Sequence, residues 1–330
     1  MSKTKEILKQ LATGDKKALA RCITIVENEL SGYEDILSSL KFNKHVPVIG
    51  FTGPPGAGKS TLINALLSLL SSKNKKVGVI AIDPTSPFNF GSLLGDRLRM
   101  SEHFSDENIF IRSLATRGSL GGLSAKAIEI VDVMRAFGNY HQTPSLPSPK
   151  GKEMSAQLPP FGGVGGGMAF DYIFLETVGV GQSEVEVAGL ADTTVLVLAP
   201  GFGDEVQTIK SGIMEIGDIF VVNKSDSLGA EGFAKTIEQL VHSREKNNWT
   251  PPVILASATN KKGTEEIIEK IDEHLAKTHN DKKVFLLTEK AYKLIQNNRM
   301  KNLDKKKLQA EIEKEMKKKD FNLYTFARQF

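Results

Sequence analysis

Nine residues carry the clearest chemistry in the chain. Gly53-Pro54-Pro55-Gly56-Ala57-Gly58-Lys59-Ser60-Thr61 contains the spacing G-x-x-x-x-G-K-[ST], with an apolar run before it and an amphipathic one after. Glycines let such a loop curl so that its N–H groups point inward at phosphate oxygens, and the following helix adds the positive end of its dipole. Lys59 brings a mobile positive charge for β- and γ-phosphates, and the Ser60 hydroxyl suits the Mg²⁺ that bridges them.

Two further stretches complete a nucleotide site in the expected order. Val221-Val222-Asn223-Lys224-Ser225-Asp226 places N-K-x-D at the carboxyl end of an apolar run. The Asp226 carboxylate can accept both the N1–H and the 2-amino N–H of guanine, whereas adenine offers neither, so guanine is favoured. The aliphatic stem of Lys224 can lie over the ring. Ser257-Ala258-Thr259 supplies a small-residue turn with a backbone N–H for the guanine O6. Between these, the apolar run 172–175 leads into Glu176, with Gly179 three residues on. An acid there can act on Mg²⁺ or its water, and the Gly179 N–H can meet the terminal phosphate. Asp83 and Asp96 are further candidates for the metal, although turn and helix-capping roles fit their spacing equally well.

These residues need a scaffold, and the hydrophobic pattern predicts one. Short apolar runs at 46–52, 77–82, 108–111, 172–175, 193–198, 219–222 and 253–256 alternate with amphipathic segments at 59–71, 123–137, 230–245 and 263–277. That alternation means an α/β fold of the P-loop type, a mostly parallel central sheet flanked by helices. Residues 1–42 form an N-terminal helical extension, 43–280 the nucleotide domain, and 281–330 a C-terminal helical arm with helices at 285–298 and 303–319. Residues 141–170 stand apart, rich in proline and glycine, and read as an inserted surface loop.

Apolar residues make up 40% and charged residues 25% of 330, an ordinary globular composition that excludes collagen-like or wholly disordered chains. The one cysteine, Cys22, excludes an internal disulfide and reads as a buried, inert thiol in a reducing compartment. No apolar run is long enough to span a bilayer and the N-terminus has no secretory pattern, so a cytoplasmic protein that does not engage the membrane is expected. Net charge is +4, yet residues 281–320 hold 13 basic against 7 acidic residues. Without interleaved aromatics this tail reads as a solvated helical face rather than a nucleic-acid surface.

With these residues assembled, the chain resembles the cobalamin-mutase-associated GTPases of the MeaB/ArgK type, related to the human methylmalonic aciduria type A protein and belonging to the SIMIBI class of P-loop proteins. The resemblance is carried by Ile82-Asp83-Pro84-Thr85-Ser86-Pro87, by Gly91 to Met100, by Ala115 to Leu123, by Glu176-Thr177-Val178-Gly179-Val180-Gly181-Gln182-Ser183-Glu184 and by Pro200-Gly201-Phe202-Gly203-Asp204-Glu205. It implies GTP hydrolysis to GDP and phosphate with Mg²⁺, a homodimer formed through residues 283–330, and service to an adenosylcobalamin-dependent acyl-CoA mutase. It also implies Lys59, Glu176 and Asp96 as the catalytic set, with Ser60, Asp83, Asp96 and Glu176 around the metal. Residues 201–210 would couple nucleotide state to the mutase. Arg97, Arg99, Arg112 and Arg117 are candidates for switch or partner contacts, with plain ion pairs as the alternative. Two competing classes remain. An ATPase or kinase of an arginine/ornithine transport system is opposed by Asp226. A nickel-enzyme metallochaperone GTPase is opposed by one cysteine and by the scatter of His45, His103, His141, His242, His274 and His279.

Overall fold

Seven apolar runs become seven strands because each can bury both faces, as a parallel sheet between helical layers demands. The computed structural model describes residues 3–42, 45–83, 100–115, 125–139, 169–177, 189–201, 213–241 and 249–277, and parts of 288–327. The strands are β1 (Val48–Thr52), β2 (Val77–Asp83), β3 (Ile109–Ala115), β4 (Tyr172–Thr177), β5 (Thr193–Leu198), β6 (Ile219–Val222) and β7 (Val253–Leu255). They pair in the order β3-β2-β4-β1-β5-β6-β7, all parallel. The chain therefore leaves β1 toward one edge, returns to insert β4 beside β1, and then fills the other side. This reversal places the loop after β1 at the switch point of the sheet, with the carboxyl ends of β4 and β5 on either side.

The helices are α1 (Lys3–Ala12), α2 (Lys16–Glu27), α3 (Tyr33–Ser38), α4 (Lys59–Ser72), α5 (Ala125–Arg135), α6 (Ala230–Val241) and α7 (Thr264–Lys277). Asp15 caps α2 by accepting from the N–H groups of Lys17 and Ala18, which satisfies two donors the helix cannot use internally. Leu62, Ile63, Leu66 and Leu70 of α4 pack with Phe51, Phe174 and Val195 on one face of the sheet, together with Ile267 and Ile271 of α7. Burying each such side chain is worth about 1.5–3 kcal/mol, and this face holds α4 and its leading loop against β1. On the opposite face Leu11, Leu19, Ile23 and Val26 share a core with α5, Ile80, Ile173 and Leu175. Cys22 lies inside that core, fully buried, as the sequence predicts.

The strand β3 runs four residues beyond its apolar signal. Arg112, a polar residue that hides the pattern, donates to Glu27 and Thr24 on α2, so its charge is paired within the fold rather than presented to a nucleotide. A second unit, Asn280–Phe330, contains α8 (Lys305–Glu315) and α9 (Leu323–Ala327). Among its described residues Tyr292, Ile295, Met300, Met316 and Tyr324 are exposed and Phe326 is buried. Residues 141–168 lie outside the described set, as does most of 285–298.

Candidate functional site

The loop after β1 owes its shape to three glycines with positive φ, Gly53 (139°), Gly56 (77°) and Gly58 (88°). At Gly53 a Cβ would run into the Val197 carbonyl of β5, and at Gly58 into the amide of Asn223. At Gly53 the backbone contact excludes a side chain, at Gly58 a Cβ would have to displace the Asn223 amide, and the positive φ strains a side chain at both. Pro54 and Pro55 follow Gly53, and Ala57 donates back to Pro54 O at 3.3 Å, which closes the turn. Helix α4 then begins at once, with Gly58 as its cap, Lys59 and Ser60 buried in its first turn and Thr61 exposed. Its positive end faces the loop, a preformed setting for an anion. The Lys59 ammonium folds back onto Gly53 O (2.8 Å) and Pro54 O (3.1 Å), so its charge is held within the hollow by the loop's own carbonyls.

Glu176 reaches this loop across 116 residues of sequence. On β4 it stands in register with Phe51 of β1 and Ala81 of β2, and its Oε1 accepts the Ser60 hydroxyl proton at 2.6 Å. Glu176 is 4% exposed. A hydroxyl and a carboxylate meeting at the end of a buried strand are hard oxygen donors, a set that fits Mg²⁺ and not a soft thiolate-seeking metal. Beside them Thr177 Oγ1 lies 3.3 Å from Thr52 Oγ1. Strand β2 ends on Asp83, one register step beyond the pairing of Ile82 with Thr177. The Asp83 side chain, Asp96 and Gly179 lie outside the described residues.

The other half of the site follows β6 and β7. Asn223, 2% exposed, donates from Nδ2 to Ala57 O (2.9 Å) and Gly58 O (3.4 Å), and its Oδ1 accepts from the Ala258 N–H (3.1 Å). One amide thus ties the glycine loop to the turn after β7. The sequence places Asn223 among the nucleotide contacts, and the structure gives it a bracing role that spacing alone cannot reveal. The same bond engages the N–H of Ala258, one of the residues of the turn expected to offer a backbone N–H to the guanine O6. Lys224 takes a left-handed φ of 57°, and Ser225 N–H donates to Ala256 O at 2.9 Å, which turns the chain so that Asp226 stands exposed at the rim. Ser257 donates from Oγ to Asp226 Oδ1 at 2.7 Å. That hydrogen bond holds the Asp226 carboxyl below the usual carboxylate range, so it is an anionic acceptor for two parallel N–H groups. Thr259 lies exposed in the same turn.

A glycine-rich loop between a central parallel strand and a buried helix, joined to an N-K-x-D turn and a strand-end acid, defines the P-loop nucleotide hydrolases. The family model described as methylmalonyl Co-A mutase-associated GTPase MeaB matches residues 19–141 and 163–316, and the chain belongs to that family. It is a GTPase. The break in the match falls inside the proline- and glycine-rich stretch. A Pyrococcus horikoshii protein bearing the GTPase name is 45% identical over 276 residues, covering 82% of this chain and 77% of its own. GTPase ArgK of Escherichia coli is 34% identical over 273 residues, 79% and 73% of the two chains. The mouse mitochondrial methylmalonic aciduria type A homolog is 34% identical over 280 residues, 78% and 59%. Among solved structures, a LAO/AO transport system kinase superposes with a TM-score of 0.64 at 24% identity, covering 99% of this chain and 95% of that one. That likeness is one of fold. Among the described residues no helix is long and apolar enough to cross a membrane.

Proposed function

We propose that this chain binds GTP at residues 53–61, hydrolyses it to GDP and phosphate, and uses that cycle to chaperone an adenosylcobalamin-dependent acyl-CoA mutase of the methylmalonyl-CoA type, gating cofactor loading and protecting or reactivating the enzyme. The observation that carries the nucleotide reading is Asn223, whose amide couples the glycine loop to the turn after β7, as a ligand spanning both would require. In this reading Lys59 leaves the Gly53 and Pro54 carbonyls for the β- and γ-phosphates, where its charge offsets that of the transferring phosphoryl group. Asp226 accepts the guanine N1–H and 2-amino group, Lys224 lays its stem along the ring, Thr259 stays at the rim of the base turn, and the Gly179 N–H meets the terminal phosphate. Ser60 and Glu176, with Asp83 and Asp96, would hold Mg²⁺, which would supply positive charge to offset that of the nucleotide phosphates.

The mutase is supported by the family's description and by the mouse relative's name. The exposed apolar side chains of the 280–330 unit, Ile295 and Tyr324 among them, support a homodimeric arm at 281–330 following the nucleotide domain. A cytoplasmic home fits a buried, reduced Cys22. The test is a pull-down from the native cell with GDP and with a non-hydrolysable GTP analogue. Nucleotide-dependent recovery of a cobalamin enzyme is expected, and its absence with both nucleotides refutes the chaperone role. A tenfold or greater preference for ATP over GTP refutes the base assignment and returns the transport-kinase reading.

A further inference from the structure

The turn after β7 closes tightly on itself. Asn260 N–H donates to Ser257 O at 3.1 Å, and Ser257 and Lys262 exchange backbone hydrogen bonds of 3.1 and 3.0 Å. Lys261 takes a left-handed φ of 54° to allow the reversal. The Asn260 side chain is thereby returned to Ser257, where its Nδ2 donates to Oγ at 2.9 Å. Ser257 is buried. A serine hydroxyl has one proton and two lone pairs. With Asn260 donating into a lone pair, the hydroxyl must spend its proton elsewhere, and Asp226 Oδ1 takes it at 2.7 Å. Thr259 Oγ1, at 3.4 Å, is a far weaker competitor. Donation by Asn260 also polarises the hydroxyl and strengthens its bond to the carboxylate.

We propose that Asn260 is a positioning residue for guanine recognition. By directing the Ser257 proton onto Asp226, it sets the plane in which that exposed carboxylate meets the N1–H and the 2-amino group of the base. Asn260 does not touch the base. Rotation about the terminal carboxylate torsion is otherwise broad, and a two-pronged contact needs both oxygens in one plane. This inference rests on the GTP reading above.

The experiment is calorimetric titration of the full chain with GDP, IDP and ADP, for the wild type, Asn260→Ala and Asn260→Asp. IDP lacks the 2-amino group and engages one carboxylate oxygen only, so the GDP/IDP affinity ratio reports the alignment of Asp226. Asn260→Ala is expected to lower that ratio about two- to tenfold, the range of one hydrogen bond's net contribution. Asn260→Asp, isosteric and compatible with the same turn, is expected to lower it further, because its carboxylate competes for the Ser257 proton and repels Asp226. A residue that served the turn alone would make the aspartate variant the milder one and would weaken GDP and IDP together. An unchanged ratio in both variants, or an aspartate milder than alanine, overturns the proposal. If the wild type prefers GDP over ADP in either of those cases, Asn260 alone loses its role. A wild type that binds ADP as tightly as GDP removes the guanine reading and this inference with it.

Discussion

Asn223→Ala removes three hydrogen bonds at once, to Ala57 O, to Gly58 O and from Ala258 N–H. Gly58 O retains the Leu62 N–H at 2.9 Å, whereas Ala57 O and Ala258 N–H lose these partners in buried residues. A buried polar group left unsatisfied costs about 1–3 kcal/mol, and water entering from the open nucleotide side recovers part of this. The expected loss of stability is about 2–4 kcal/mol, a large share of a domain's total. The loop and the base turn also become independent, which should weaken GDP at least tenfold. By linkage, GDP at a hundred times the wild-type Kd stabilises the wild type by about 2.7 kcal/mol and a variant with tenfold weaker binding by only about 1.4 kcal/mol. Urea unfolding with and without GDP measures both quantities. The single tryptophan, Trp249, is buried and donates to Asp218 O at 2.8 Å, so its fluorescence reports the transition. An unfolding midpoint equal to that of the wild type, with an equal shift on adding GDP, would refute the bracing role.

Lys59→Ala should abolish GTP turnover or nucleotide binding, since the phosphate charge is left uncompensated, and a phosphate-release assay giving wild-type rates would contradict this. Asp226→Asn should move preference from guanine toward xanthine, whose 2-oxo group needs a donor, and competition titration with GDP and XDP reads the change. The Ser257 hydrogen bond favours ionised Asp226, so GDP affinity should persist as pH falls into the ordinary carboxylate range and fade only below it, while Ser257→Ala should lose affinity at a higher pH. Burial raises the Cys22 thiol from 9.0 to about 11. The folded state thus keeps its proton longer than the unfolded one. This contribution to stability is complete below about pH 8.5 and is lost as pH climbs toward 11. Native protein at pH 8 should resist thiol labelling until it unfolds, and rapid labelling of the folded chain would refute the buried placement.

All seven strands lie where apolar runs fall between turn residues, because a parallel strand buried on both faces must be apolar throughout. The last four residues of β3, from Arg112 onward, are less legible, because the Arg112 side chain is paired with Glu27 and Thr24 of α2, partners that no window of local sequence contains. Asp226 and Ser257 are legible as candidates from their motifs. Asn260 is not, since a lone asparagine in a polar turn reads as turn chemistry until its amide is seen on Ser257. Val197 is invisible for another reason, as it contributes a backbone carbonyl beside Gly53, and any residue can supply one.

Residue types and short spacings determined by themselves that a glycine-rich loop stands between a strand and a helix, that an N-K-x-D turn follows a later strand, and that a parallel sheet carries both. Helix periodicity, glycine's dihedral freedom and strand burial act over a few neighbouring residues, so they can be read directly. The tertiary structure alone decided that Ser60 meets Glu176 across 116 positions and that Ala57 is held by Asn223 across 166. Those contacts depend on β4 inserting beside β1 and on β5 separating β1 from β6. That order is set by how whole helical and strand faces pack together, a property of the collapsed chain and not of any segment within it.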